Sequence, residues 1–154
     1  MTRTVILGIG NTLLGDDGAG IHALRALEAR CDDANVQFVD GGTLSFPLTE
    51  ALGDAGRLIV IDAAQLDAPP GTVRVFENGA MDAYVARGPC GSVHEVSLAE
   101  LLDMVRLLGR LPEPRALIGI QPAVVDWSET PTPAVAAAIP QACARAQQLL
   151  AAWS

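Results

Sequence analysis

TVILGIGNTLLGDDGAG, residues 4–20, is the stretch on which the reading of the chain turns. Val5, Ile6 and Leu7 form a short apolar run with the character of a buried parallel strand. Gly8, Gly10 and Asn11 break it, and Gly15 and Gly18 bracket two adjacent carboxylates, Asp16 and Asp17. An amphipathic helix follows, with Ile21, Leu24, Leu27 and Cys31 on one face and His22, Arg25 and Ala29 turned away. Glu28 intrudes on the apolar side. A hydrophobic strand therefore delivers the chain into a glycine-rich loop that sets paired acids at a helix N-terminus.

Strand, glycine loop and helix in succession suggest phosphate binding, but the details argue against it. The dinucleotide fingerprint needs a third glycine where Leu13 stands. Gly10 and Gly15 have P-loop spacing, yet Asp16-Asp17 follow where lysine and a hydroxyl are required. Two negative charges at the loop mouth repel a phosphate and favour a cation. Helix capping is the alternative role, and it suffices for a single Asp. For two acids among so many glycines, capping and a cation site are evenly matched.

Composition narrows the class. A chain of 154 residues is long enough for one domain with a core of its own. Half the residues are hydrophobic and 18% are charged, which excludes a disordered chain. Alanine is abundant and aromatics are scarce, so small aliphatic side chains should fill the core. The net charge is −8, and all ten basic residues are Arg, with no basic cluster to hold nucleic acid. No apolar run approaches the ~20 residues of a membrane span, and no signal-peptide pattern opens the chain. Cys31, Cys90 and Cys143 are widely spaced and form neither a disulfide framework nor a zinc motif. A cytoplasmic location is expected.

Further along, Val36–Val39 reads as a second strand ending at Asp40, and Leu58–Ile61 as a third ending at Asp62. A short helix around Leu48 and Leu52 is expected between them. The turn Asp67–Gly71 leads into Thr72–Phe76, whose alternation suits an exposed edge strand. Residues 77–93 have no clear period and are expected to form a long loop, with His94 near its end. Ser97 and Glu100 make a capping box opening a helix with Leu98, Leu101, Leu102, Val105 and Leu108 on one face, closed by Gly109. Ala116–Ile120 is another buried strand, ending at Gln121. A last helix starts near Pro133 and runs to about Trp153, with a kink expected at Pro140.

Alternating strands and helices predict a three-layer α/β sandwich: a mostly parallel sheet of about five strands with helices on both faces. Ligands of such folds bind at the carboxyl ends of the strands, beside a topological switch point. Asn11, Asp16, Asp17, Asp40, Asp62 and Gln121 all follow strands. Acids beside a core are costly unless paired or metal-bound, so a site is preferred over capping by about two to one. His22 is expected to be solvated; His94 can reach the strand ends. Two carboxylates with an imidazole suit a borderline divalent metal such as nickel, zinc or iron.

GIGNTLLGDDGAG, DGGT at 40–43, LIVIDAA at 58–64, SVHEVSLAELL at 92–102 and IGIQP at 118–122 together resemble the hydrogenase maturation endopeptidases. The likeness spans nearly the whole chain in order. It implies a peptidase whose partner is the large-subunit precursor of a [NiFe]-hydrogenase. Once nickel is in place, such a peptidase removes a C-terminal extension. The family's metal-binding residues fall on Asp17, Asp62 and His94, with Asp17 occupied by Glu in some members and Asp16 as a neighbouring structural acid. Nickel would come with the precursor, and no tightly bound resident cofactor is expected. Two other readings stand beside this one: a cysteine hydrolase using Cys90 and His94, and a non-catalytic nickel-sensing or chaperone module for the precursor.

Overall fold

The structure, a computed structural model, describes residues 2–42, 52, 54–87, 93–123 and 125–154, and only the backbone of 93–97. Five strands, β1 (Thr4–Ile9), β2 (Val36–Gly42), β3 (Arg57–Ala63), β4 (Val73–Glu77) and β5 (Arg115–Ile120), form one sheet in the order β2-β1-β3-β5-β4. Four are parallel, and β4 pairs antiparallel to β5 at the edge. The helices are α1 (Ala19–Glu28), α2 (Gly79–Val85), α3 (Val93–Leu107) and α4 (Pro133–Trp153).

Every residue of β1 and of β5 is buried, as continuous apolar runs in a doubly covered parallel sheet require. Alternation divides them between two cores. Ile6, Ile59, Ile61, Ala116, Ile118 and Ile120 pack with α1 and α4. Val5, Leu7, Leu58, Val60 and Leu117 point the other way and pack with Met81 and Tyr84 of α2 and Leu101, Leu102 and Val105 of α3. The expected layering and strand number are both present. Small residues let α1 and α4 approach closely, through Ala19 and Ala23 on one side and Ala138, Ala142, Cys143 and Ala146 on the other. The Cys143 thiol donates to the Ala23 carbonyl at 3.5 Å, and burial raises its pKa.

Several local expectations are corrected. The region 77–93 is not one long loop, because Gly79–Val85 is helical. The apolar signal there is a single turn, Met81, Tyr84 and Val85, too brief to declare a period. The helix expected at Ser97 begins at Val93, so His94 lies in its first turn rather than in a loop. The capping-box residues fall one turn inside it. Leu108 is 61% exposed, not part of the buried face. Gly109 closes the helix as expected: at φ +70°, its N–H reaches the Arg106 carbonyl and that of Arg110 the Val105 carbonyl, a Schellman closure. β2 continues past Asp40 to Gly42, and α4 runs on through Pro140. The helix expected around Leu48 lies outside the described residues, except for Leu52.

His22 is half-buried rather than solvated. Its Nε2 is enclosed without a hydrogen-bond partner among the described residues, and burial, with Arg25 nearby, lowers its pKa.

The amino end of the sheet is held by an ion pair. Arg115, 8% exposed, donates Nε to Asp82 Oδ1 at 3.0 Å and Nη2 to Asp82 Oδ2, while Nη1 reaches the Pro112 carbonyl at 3.2 Å. This bidentate fork ties α2 to β5. Arg106 adds a more exposed contact to the same carboxylate at 3.4 Å. The Arg115 hydrogen bond, with both guanidinium charges assisting, lowers the Asp82 pKa below its ordinary 3.8. A depressed carboxylate stabilises the fold fully above the unfolded value and loses that contribution as pH falls through the folded one. Asp82→Asn should therefore cost about 1.5–3 kcal/mol at neutral pH. Urea unfolding should also show a shallower loss of stability below pH 4 than in the parent.

Candidate active site

The strand order fixes where a site can form. From β1 the chain moves to β2 on one side, then returns to place β3 on the other, so the order reverses between β1 and β3. The crevice at their carboxyl ends is the switch point. The Asp16-Asp17 turn follows β1, and Asp62 is the penultimate residue of β3. Both candidate carboxylates thus come from the strands that flank the crevice.

Close backbone packing brings the start of α1, and the turn before it, against the ends of β1 and β3. A Cβ on Gly20 would come within 2.2 Å of the Ile61 carbonyl oxygen and 2.5 Å of that of Ile9. Only glycine lets α1 start this close to the ends of β1 and β3. Gly10, at φ +134°, folds the loop back so tightly that a Cβ would lie 2.1 Å from the Asp17 carbonyl oxygen. Residues 15–18 form a short 3₁₀ turn, all four buried, in which Asp17 is 7% exposed. Its Oδ2 accepts the Asn11 N–H at 3.0 Å, while Asn11 Oδ1 accepts the Leu13 N–H at 2.9 Å. Asp62 is 2% exposed.

His94 stands in the first turn of α3 as far as the backbone goes, and its side chain lies outside the described residues, as does Cys90. Among the described residues no three His, Cys, Asp or Glu side chains form a metal-binding group. The structure also places the other two strand-end residues. Asp40 sits at the surface beside Arg25, 3.6 Å away, and its Oδ1 accepts the Gly42 N–H. Gln121 is buried, but its Oε1 accepts the Leu66 N–H at 2.6 Å and its Nε2 reaches Gln65 and Pro122. It therefore braces the connection after β3.

Asp16 has a function that spacing did not disclose. It is fully buried, and neither it nor Asp17 caps α1, whose N-cap is Gly18. Asp16 Oδ1 accepts the Thr132 N–H at 2.7 Å, and Oδ2 accepts the Ala123 N–H at 2.8 Å. The Thr132 hydroxyl donates to the same carboxylate, at 2.8 Å from Oδ2. Thr132 is the N-cap of α4, so a carboxylate from a remote turn meets the positive end of that helix. The helix start at Thr132-Pro133 was legible; the acid serving it, 116 residues away, was not.

The hydrogenase maturation protease family model, HycI, matches residues 21–149. The chain belongs to this family. Hydrogenase expression/formation protein HupD of Rhizobium leguminosarum bv. viciae is 34% identical over 98% of this chain and 75% of its own length. The hydrogenase 2 maturation protease of Escherichia coli K12 is 32% identical over 97% of this chain and 90% of its own. Among solved structures, the hydrogenase maturating endopeptidase HybD of Escherichia coli superposes with a TM-score of 0.86 at 32% identity, covering 97% of this chain and 91% of that one. The [NiFe] hydrogenase maturation protease HybD of Thermococcus kodakarensis gives 0.83 at 27% identity, covering 96% and 98%. The resemblance drawn from the sequence motifs is borne out, and this maturation protease is a peptidase with an α/β fold.

In the protease, Asp16 connects the acid-bearing turn to the segment after β5. Asp16→Asn would set an amide N–H₂ against a backbone donor at one of its two oxygens. A loss of about 1–3 kcal/mol should follow. Hydrogen exchange should find the Ala123 and Thr132 amides less protected in the variant, while the amides of β1 keep their relative protection.

Proposed function

We propose that this protease removes the C-terminal extension from the nickel-loaded large-subunit precursor of a [NiFe]-hydrogenase, with Asp17, Asp62 and His94 meeting the precursor's nickel. The observation that carries this reading is the pair of buried carboxylates, Asp17 at 7% exposure in the turn after β1 and Asp62 at 2% at the end of β3, in a maturation protease. An acid pair that costly to bury suits an incoming cation, whose charge offsets the desolvation of both groups. His94 joins them on the strength of the sequence motif.

Nickel here is part of the substrate. Two carboxylates and one imidazole include no thiolate, which leaves coordination positions for cysteines already on the ion. Precursor without nickel offers the three side chains nothing to bind, so the ion licenses cleavage. Once it is bridged between the two proteins, the scissile peptide lies against the carboxyl edge of the sheet. The oxygen of a water then attacks the carbonyl carbon, and the proton that the water loses passes to a carboxylate. The amide nitrogen takes a proton as it leaves, and the extension departs with a free amino terminus.

Processing read by intact mass tests this directly. Nickel-loaded precursor should lose its extension, while nickel-free precursor should keep it. Asp62→Asn and His94→Ala should lower the rate at least about a hundredfold with circular dichroism unchanged. Cys90→Ser should cut at the parental rate; its inactivity with an intact fold would point to a cysteine hydrolase instead. Equal cutting of loaded and empty precursor would overturn the nickel requirement.

A further inference from the structure

The segment that Asp16 anchors carries a surface with no part in the chemistry described so far. Trp127 is 77% exposed, Val125 is 55% exposed and Leu13 is 50% exposed. Leu13 belongs to the glycine loop, and Val125 and Trp127 to the segment after β5, yet the two run side by side. The Ser128 N–H donates to the Leu13 carbonyl at 2.9 Å, and the Gly15 N–H donates to the Ser128 carbonyl at 2.8 Å. These bonds make a parallel bridge between Leu14 and Ser128. The Trp127 N–H is held by Asp126 Oδ1 at 2.7 Å, and the Thr130 N–H by Ser128 Oγ at 3.2 Å. Asp16 clamps both flanks of the segment, at Ala123 and Thr132.

A large apolar side chain at the surface is costly, and here the backbone beneath it is fixed instead of free to fold inward. Tryptophan held rigidly and exposed is the side chain most enriched in the energetic centres of protein interfaces. We infer that Leu13, Val125 and Trp127 form a docking knob for the folded body of the precursor, separate from the contacts made at the cleavage edge. This inference rests on the proposed substrate.

Three observations favour that occupant. A peptidase must admit a protein to its site, and the knob shares a loop with one of the proposed site acids: Leu13 lies four residues before Asp17. Trp127 is 77% exposed, so burying it takes a preformed pocket, which a folded body has and an extended tail lacks. Asp126 and Glu129 flank Trp127, both exposed, with no basic residue between 116 and 144, so the matching pocket is apolar with a basic rim. Docking away from the scissile bond supplies affinity without touching the reacting atoms. Its loss should therefore appear in KM and leave kcat alone.

The test varies the concentration of nickel-loaded precursor and follows cleavage. Trp127→Ala should raise KM about tenfold with kcat unchanged, and Trp127→Phe should recover most of the loss. Leu13→Ser should act in the same direction. In an Asp62→Asn background, binding to immobilised nickel-loaded precursor should weaken about tenfold on adding Trp127→Ala. A synthetic peptide of the extension alone should not compete for the knob. An unchanged KM and affinity, or a fall in kcat instead, would overturn the docking knob, as would equal competition by the extension peptide. Failure of the parent protein to cut the precursor, with affinity still dependent on Trp127, would overturn the proposed cleavage and leave the knob standing.

Discussion

Position 20 has no room for a side chain, and the arrangement of this protein depends on that. The start of α1 is pressed against the Ile9 and Ile61 carbonyls so closely that a single methyl would meet backbone, which cannot move aside. Because the helix begins there, the preceding turn has to sit over the carboxyl ends of β1 and β3. Asp17 is thereby set beside the strand that bears Asp62. A site formed this way needs few residues of its own, since the sheet supplies the position and the glycines supply the approach.

The two acids of the turn divide the work. Asp17 accepts the Asn11 N–H within its own loop. Asp16 is spent on structure: its carboxylate gathers donors from both flanks of the segment that links β5 to α4. Such a carboxylate is tolerated in the interior because backbone N–H groups and a helix terminus replace its lost hydration. The Asp16-Asp17 turn and the exposed Trp127 segment are consequently parts of one braced unit. The Asp82–Arg115 pair braces the opposite end of the sheet by the same principle, with a guanidinium in place of amides.

Much of this was legible in the residues. The apolar runs at Val5–Leu7, Leu58–Ile61 and Ala116–Ile120 could only be buried strands, and the alternation in Thr72–Phe76 marked an edge. What misled were short or composite signals. One turn of helix at Met81–Val85 is indistinguishable from loop without its packing partners. The capping box at Ser97 is a real pattern in the wrong frame, since a helix may begin earlier wherever its backbone bonds can be made. Asp40 and Gln121 followed strands as site residues do, yet one lies at the surface and the other braces a connection.

By itself the sequence determined the layers, the strands and the family, because each rests on local pattern: hydrophobic period, glycine spacing and motif order. It also determined that acids would lie toward the carboxyl ends of β1, β2 and β3, since each stands at or shortly after the end of an apolar run. Only the tertiary structure decided which acid takes the Asn11 amide and which one holds Ala123 and Thr132. It alone decided that Leu13 and Trp127 share a surface. Those outcomes depend on contacts between segments more than a hundred residues apart in the chain. No local period records such contacts, because they exist only once the sheet has brought its strand ends together.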